Sequence, residues 1–399
     1  MSTALNDLSR YPIVQAPMAG GGSCPDLVGA VCEAGALGFL AGGYKTAGGL
    51  YQEIKQVRGL TARPFGVNLF VPPRDQPADP AAVEVYRHQL AGEAGWYETE
   101  LGDPDQGRDD AYDAKLAILL DDPVPVVSFT FGCPDRDTLD AFARAGTYTI
   151  VTVTSAEEAR TAERAGAAAI GVQGTEAGGH QGTHRDDPAD GPSAGSGSAL
   201  LPLITEVRER VRLPIIAAGG IMRGRQIAAV LAAGADAAQL GTAFLVCPES
   251  GAHPLHKRAL TDPALTALFT RTELTRAFSG RPARGLVNRF MREHGPYAPA
   301  AYPEVHHLTA PLRRAAAAAG DPQAMALWAG QGHRLARELP AGRLVEVLAE
   351  ELHTALYGGT DAPGAPGISG ISGLPGTSGL PGTPGTTGIT GSISPRSTS

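Results

Sequence analysis

His180 lies in the stretch AIGVQGTEAGGHQGTH (169–184), directly behind Gly178-Gly179 and shortly after an apolar run. An imidazole titrates near neutral pH, so it can take or return a proton where a lysine or carboxylate stays in one state. The two glycines give the backbone before it wide conformational freedom. A loop histidine left in solvent fits the same letters, and only closeness to a reacting atom separates the readings. Gln173 ends the apolar run, and its amide can both donate to and accept from the edge of a heterocycle. Glu176 and His184 read as orienting or solvated neighbours.

Two glycine pairs suggest a different chemistry. LPIIAAGGIMRGRQ contains Gly219-Gly220, and AAQLGTAF carries Gln239, Leu240, Gly241 and Thr242. Glycines at a strand end, just before a helix, let backbone N–H groups approach an anion closely. Tight strand-to-helix turns are the plainer reading. Asn68 interrupts PFGVNLFVP, and an amide buried there needs partners. A bound ring or a neighbouring loop would supply them. QAPMAGG places Pro17 and Met18 where a neutral surface could lie under a flat ring, although core packing explains Met18 equally well. Between residues 271 and 292 there are six arginines and one acid, Glu273. This pattern reads as a solvated helical face, with attraction of an anionic substrate or cover for a phosphate as the alternative.

The elements that must position these groups follow from the hydrophobic pattern. Eight short apolar runs bounded by Gly, Pro or Asn read as buried parallel strands: 12–16, 36–41, 64–70, 124–130, 148–153, 168–172, 213–217 and 237–240. Helical stretches alternate with them, as in SAEEARTAERA (155–165), where Ser155 caps and Glu158 stands three positions on. Eight βα units predict a TIM-type (β/α)₈ barrel with its site at the C-terminal strand ends. No GxGxxG turn opens the chain, which argues against a doubly wound sheet. The barrel is expected over residues 1–250, with a helical insertion at 71–123 containing helices near 81–90 and 110–120. A smaller helical region (251–357), with helices over 261–278, 325–339 and 343–356, is expected to cap the barrel.

From Gly364 to Gly391 glycine recurs at every third position. Proline is confined to the Y positions, so residues 358–399 read as a disordered Gly-X-Y-like tail rather than a collagen stem. The net charge of −8 provides no field for nucleic acid. No apolar run is long enough for a membrane span, and no leader pattern opens the chain, so a cytoplasmic monomer or homodimer is expected. The four cysteines, Cys24, Cys32, Cys133 and Cys247, form no CxxC pair and read as buried thiols. Cys24 and Cys133, near strand ends, are the better placed to line a site. No metal-ligand spacing is present.

Taken in order, QAPMAGG (15–21), PFGVNLF (64–70), VQGTEAGGHQG (172–182), PIIAAGGI (214–221), AQLGTAFLVCPESG (238–251), AFSGRPARGLVNRF (277–290) and LWAGQGHRLARELP (327–340) resemble the nitronate monooxygenases, class I above all. The resemblance spans about residues 11–356. It implies non-covalent FMN in a TIM barrel, with contacts at Asn68, Gln173, Gly178, Gly220 and Gln239 to Thr242, and with Gly179 and Gly219 adjacent. It places the catalytic histidine at His180. It also implies oxidation of alkyl nitronates, such as propionate 3-nitronate, by dioxygen to a carbonyl compound and nitrite or nitrate. Tyr302 fits the family's tyrosine-bearing substrate stretch, whereas His306 stands where some members carry a second tyrosine. An FMN-dependent NAD(P)H:quinone or enoyl-thioester reductase is the nearest rival. A related barrel dehydrogenase would carry a cysteine in the loop after strand six, which this loop lacks. A non-catalytic flavin-binding protein is the rival from another class.

Overall fold

A computed structural model of the chain describes residues 5–73, 78–186 and 197–358. Residues 1–357 form one compact unit. The Gly-X-Y tail anticipated from residue 358 lies outside the described residues, apart from Gly358 itself.

The eight barrel strands are β1 (Ile13–Gln15), β2 (Phe39–Ala41), β3 (Gly66–Phe70), β4 (Val126–Thr130), β5 (Tyr148–Val153), β6 (Ala169–Gln173), β8 (Ile215–Ala218) and β9 (Ala237–Leu240). All pair in parallel, in the order β1-β9-β8-β6-β5-β4-β3-β2. A parallel bridge between Val14 and Leu37 joins the two ends of the sheet. There Gln15 N donates to Leu37 O at 2.8 Å, and Leu37 N donates to Ile13 O at 3.0 Å. Six of the eight apolar runs contain their strand whole, β6 and β8 run one residue past theirs to Gln173 and Ala218, and the first residues of several runs serve as lead-in.

Side chains alternate between the two faces of a strand. Ile170 and Val172 of β6 pack outward into the large core shared with the helices, as do Val67 and Leu69 of β3. Ala169, Phe39, Val126, Ile150, Ile216 and Ala237 fill the barrel interior, and Leu5 and Leu8 join them from the N-terminal segment. This parity leaves Asn68, Thr130, Thr152, Gln173 and Gln239 pointing inward at the C-terminal ends. It also turns the Leu240 side chain outward into the strand–helix core, where it is buried.

The insertion carries helices Pro80–Gln89, Ala91–Trp96 and Tyr112–Asp121. Helix Ala341–Tyr357 lies against helices Pro25–Glu33 and Gly224–Ala232 on the barrel's flank. Its Glu351 Oε2 accepts from Gly224 N at 2.8 Å. Two of the expected C-terminal helices are absent as such. The 261–278 stretch ends its helical part at Leu268 and continues as β10 (Thr272–Thr275), which pairs antiparallel with β11 (Ala283–Leu286). Residues 325–339 contain a single 3-10 turn, His333–Leu335, in otherwise irregular chain. β11 pairs in turn with β7 (Gly179–His180), so the arginine-rich segment is a hairpin bound to the histidine loop.

Candidate active site

A cavity of about 570 Å³ opens at the C-terminal ends of the strands. That volume lies within the roughly 300–1,000 Å³ usual for ligand pockets. Pro17, Met18, Asn68, Gln173, Gly178, Gly179, His180, Gly219, Gly220, Gln239, Gly241, Thr242 and His306 all contribute to its wall. Among the residues singled out from sequence, Glu176, His184, Leu240 and Tyr302 are not in the wall. No cysteine lines it either, including Cys24 and Cys133, the two placed nearer strand ends. Cys24 Sγ donates to Glu249 O at 3.0 Å instead.

Polar side chains form a ladder across neighbouring strand ends. Asn68 Nδ2 donates to Ser128 Oγ at 2.9 Å and Thr130 Oγ1 at 3.0 Å, and Thr130 Oγ1 lies 3.3 Å from Thr152 Oγ1. Gln173 holds the next loop at both ends of its amide: Nε2 donates to His180 O at 3.1 Å, and Oε1 accepts from Gly182 N at 2.6 Å. Glu158 does more than cap its helix. Its carboxylate accepts from Thr154 N at 2.6 Å and from His184 N at 2.7 Å, tying the helix start to the same loop. The first-strand loop is fixed by Ser23, whose Oγ accepts from Met18 N and from Gln15 Nε2, each at 2.9 Å.

One pole of the cavity is backbone. Gly219 and Gly220 have φ of +144° and +66°, which disfavour any side chain. Gly241 has an ordinary φ of −105°. A Cβ built there meets only Ala16 Cβ at 3.5 Å, so its open side faces the cavity. Thr242 Oγ1 accepts from Gly330 N at 3.0 Å. Gly178 lies so close to the irregular 329–330 segment that a Cβ would fall 2.5 Å from Gly330 N.

The other pole is made of side chains. His180 Nε2 lies 2.9 Å from Ser279 Oγ, which in turn reaches Arg281 O at 3.2 Å. Edge contacts surround the imidazole, with Phe131, Tyr302 and Trp328 at centroid distances of 5.7, 5.8 and 5.6 Å. Shielding from water, reinforced by the positive charge of Arg281 and then Arg313, pushes its pKa from 6.5 down to about 3. The near-neutral base anticipated from sequence is therefore a neutral imidazole across the physiological range. His306 stacks on Tyr44 at 3.9 Å. Burial and then the Arg313 charge hold it well below its ordinary pKa. Tyr302 stands behind, with its hydroxyl 3.3 Å from that of Tyr44.

The arginines of 271–292 do not form a solvated helical face. Arg276, 1% exposed, donates to Asp186 Oδ1 from Nη2 at 2.7 Å and from Nη1 at 2.9 Å, with Nη1 also 3.2 Å from Oδ2. Arg284 Nε donates to Thr175 O at 2.7 Å. Arg281 donates to Thr183 O and lies 4.2 Å over the Phe131 ring. Three guanidinium groups thus clamp the loop that carries His180. Glu93, Glu293 and His294 are close enough for a metal. Arg289 takes their carboxylates, at 2.9 Å to Glu93 Oε2 and 2.7 Å to Glu293 Oε2. Tyr44, Phe131, Ser279, Arg313 and Trp328 were not foreseen: Ser279, Arg313 and Trp328 reach the cavity from the C-terminal region, whereas Phe131, directly after β4, and Tyr44, in the loop after β2, lie at strand ends, a signal the sequence carried.

An eight-stranded parallel barrel with its cavity at the C-terminal ends, one pole backbone and the other a half-buried histidine among aromatic rings, is the architecture of a (β/α)₈-barrel enzyme. The nitronate monooxygenase family model matches residues 2–351. The nitronate monooxygenase of Pseudomonas aeruginosa is 43% identical over 357 residues, covering 86% of this chain and 96% of that protein. The probable nitronate monooxygenase of Bacillus subtilis is 38% identical, covering 85% and 95%. The solved nitroalkane oxidase from Streptomyces ansochromogenes superimposes with a TM-score of 0.85 at 72% identity, covering 89% of this chain and 99% of that one. FabK from Thermotoga maritima is more distant, with a TM-score of 0.65 at 28% identity and 88% and 96% coverage. The chain belongs to the nitronate monooxygenase family and is an oxidoreductase. Among the described residues no helix is long and apolar enough to cross a membrane.

Proposed function

We propose that the protein binds FMN and oxidises alkyl nitronates, propionate 3-nitronate among them, or nitroalkanes, using dioxygen and yielding a carbonyl compound with nitrite or nitrate. The observation that carries this reading is the pairing of a backbone-lined pole with a desolvated histidine in one cavity at the barrel mouth. The residues fit the cofactor. Gly219, Gly220, Gly241 and Thr242 provide a pole without obstructing side chains for the phosphate. Gln239 lines the cavity with its amide, as do Asn68 and Gln173 beyond the contacts that hold them to Ser128, Thr130 and the histidine loop, and Pro17 with Met18 gives a neutral surface beside a ring. Bound FMN supplies the two-electron oxidation and the route of electrons to dioxygen.

The chain's own residues bind, orient and exclude water. With a neutral nitroalkane, His180 takes the α-proton, and Ser279 keeps the imidazole in place through the contact at Nε2. With a preformed nitronate no proton need move, and the imidazole and nearby positive charge stabilise the anion. Phe131, Tyr302 and Trp328 keep water from the imidazole. The test is the spectrum of the purified protein. A yellow protein that releases FMN on heating and consumes oxygen when an alkyl nitronate is added fits the proposal. A colourless protein that FMN does not reconstitute sinks it, and anaerobic consumption of NADH would move the assignment to a reductase.

A further inference from the structure

Among the described residues, five other than glycine have a positive φ, and four of them gather at the histidine end of the cavity. Tyr44 and Phe131, at +65° and +75°, are in the wall. Asp110 and Ala111, at +49° and +52°, stand behind Tyr44. A left-handed backbone is costly for any residue with a Cβ, and more so for a bulky one, so it persists only where surrounding contacts hold it. At Tyr44 the holding contact comes from the helical insertion. Tyr44 N donates to Asp110 Oδ1 at 2.9 Å. Asp110 Oδ2 lies 2.8 Å from the Nζ of Lys115, which is 1% exposed and also donates to Asp110 O.

The residues just before Asp110 are tied instead to helix Glu304–Ala318, which carries His306. Gly102 N donates to Leu308 O at 2.9 Å, and a Cβ on Gly102 would fall 2.1 Å from His307 O. Gly107 O accepts from His307 Nε2 at 3.1 Å, and Arg108 Nε lies 2.9 Å from Glu304 Oε1. Residues 102–110 are therefore a strap, fastened at one end to the loop after β2 and at the other to the C-terminal helix. The two rings that it brings together, Tyr44 and His306, stack at 3.9 Å and within 6° of parallel. Tyr302 joins this pair to the reacting end, with ring centroids 5.8 Å from His180 and 6.5 Å from His306. Neither Arg108 nor Asp110 is in the cavity wall, so the strap acts only through the rings it holds.

Resting on the nitro-compound reading above, we propose that Asp110 is a positioning residue that, through Tyr44, sets how large a nitro compound the histidine end accepts, with Arg108 holding the opposite wall. While Asp110 accepts from Tyr44 N, the ring stays stacked on His306 and the space beside His180 suits a short chain. Without that acceptor Tyr44 relaxes out of the left-handed region, its ring leaves His306, and the space widens. The selectivity concerned is the ratio of kcat/KM for a long nitroalkane to that for a short one.

The test uses the holoprotein and compares Asp110→Ala with Asp110→Asn and Lys115→Met. In Asp110→Ala the ratio for nitrohexane over nitroethane should rise about 10-fold, the low end of what one methylene is worth in a fitted pocket. The change should appear in KM, with kcat on nitroethane little altered. Asp110→Asn keeps an acceptor for Tyr44 N and tolerates the left-handed backbone. Its ratio should match the wild type, although the melting temperature falls because Lys115 loses its counter-charge. Lys115→Met should likewise cost stability alone. A second readout needs no turnover: tert-nitrobutane has no α-hydrogen, and calorimetry should show it binding more tightly to Asp110→Ala than to the wild type or Asp110→Asn. If Asp110→Ala melts earlier but leaves both the ratio and this affinity unchanged, Asp110 is a structural residue only and the proposal is overturned. An equal shift in Lys115→Met overturns it as well, because general loosening then explains the effect. Should Asp110→Ala not fold, Arg108→Met frees the other end of the strap and must raise the ratio, and an unchanged ratio there overturns the proposal. If the wild type oxidises no nitro compound, the functional reading fails instead, and the tert-nitrobutane measurement still decides whether Asp110 sets the size of the pocket.

Discussion

At the glycine end of the cavity, Gly219, Gly220 and Gly241 lie at the ends of β8 and β9, and what they present to a ligand is backbone. At the histidine end, Ser279 reaches His180 from 99 positions further along the chain, and Arg276, Arg281 and Arg284 hold the backbone and Asp186 of its loop. The first end is specified locally, by residues that no other element has to correct. The second exists only when a hairpin from the C-terminal region docks on the barrel. The backbone-lined pole can therefore be placed from a few consecutive letters, whereas the surroundings of His180 require the tertiary structure.

The largest expected effect strikes the histidine end alone. His180→Asn should retain FMN and fold but lose roughly 10²- to 10⁴-fold in kcat/KM on a neutral nitroalkane, the usual loss on removing a general base. Activity on the preformed nitronate should fall much less. Because burial depresses the pKa to about 3, the imidazole is deprotonated, and so competent as a base, at every pH above that value. The wild-type pH profile should then show no rise through 6–7 belonging to His180. Steady-state kinetics on both forms across pH checks this, and a rising limb near 6.5 that vanishes in the variant would mean a well-hydrated imidazole.

A smaller effect should isolate the glycine end. Gly241→Val adds a side chain at an ordinary φ where only Ala16 Cβ is near, so the melting temperature should hold. FMN affinity, read by fluorescence titration, should drop by at least about tenfold, as the new side chain blocks close approach of an anion. Unchanged affinity would move the phosphate elsewhere. The least effect on binding, but a clear one on stability, is expected from Arg276→Met. Loss of one partner of a buried ion pair should cost up to about 3 kcal/mol, the low end for such changes because Asp186 keeps some contact with water. Denaturant unfolding measures it, and no change would show that the clamp is redundant.

Much of the fold was legible because parallel strands buried on both faces read as short apolar runs, and every run overlaps its strand to within a residue at the C-terminal end. The inward parity of Asn68, Gln173 and Gln239 follows from the same register. The hairpin was not legible for a physical reason. In TELT and ARGL the alternating apolar pattern of a strand is broken by Arg284, whose polar head is satisfied by Thr175 O rather than by water. A cluster of arginines then resembles a wet helix. Residues 325–339 misled in the opposite sense. They are apolar enough for a helix, but they are spent on backbone contacts, Gly330 N to Thr242 Oγ1 and Gln331 N to Glu176 O among them. Tyr302 was placed near the site yet stands one layer behind it, with His306 in the wall.

The pairing of β1 with β9 joins Ile13 to Ala238, and the helix that covers this seam from outside ends only at Tyr357. During synthesis, the first strand must wait for more than two hundred residues before its neighbour exists, and longer still before the seam is covered. The order of synthesis thus separates the two poles of the cavity. The glycine pole can assemble once β9 has emerged, but the histidine loop gains its arginine clamp only after residue 284 has followed. A nascent chain stopped between those points would hold the strand-end glycines without the arginines that fix the histidine loop, and without Gly330, which closes on Thr242.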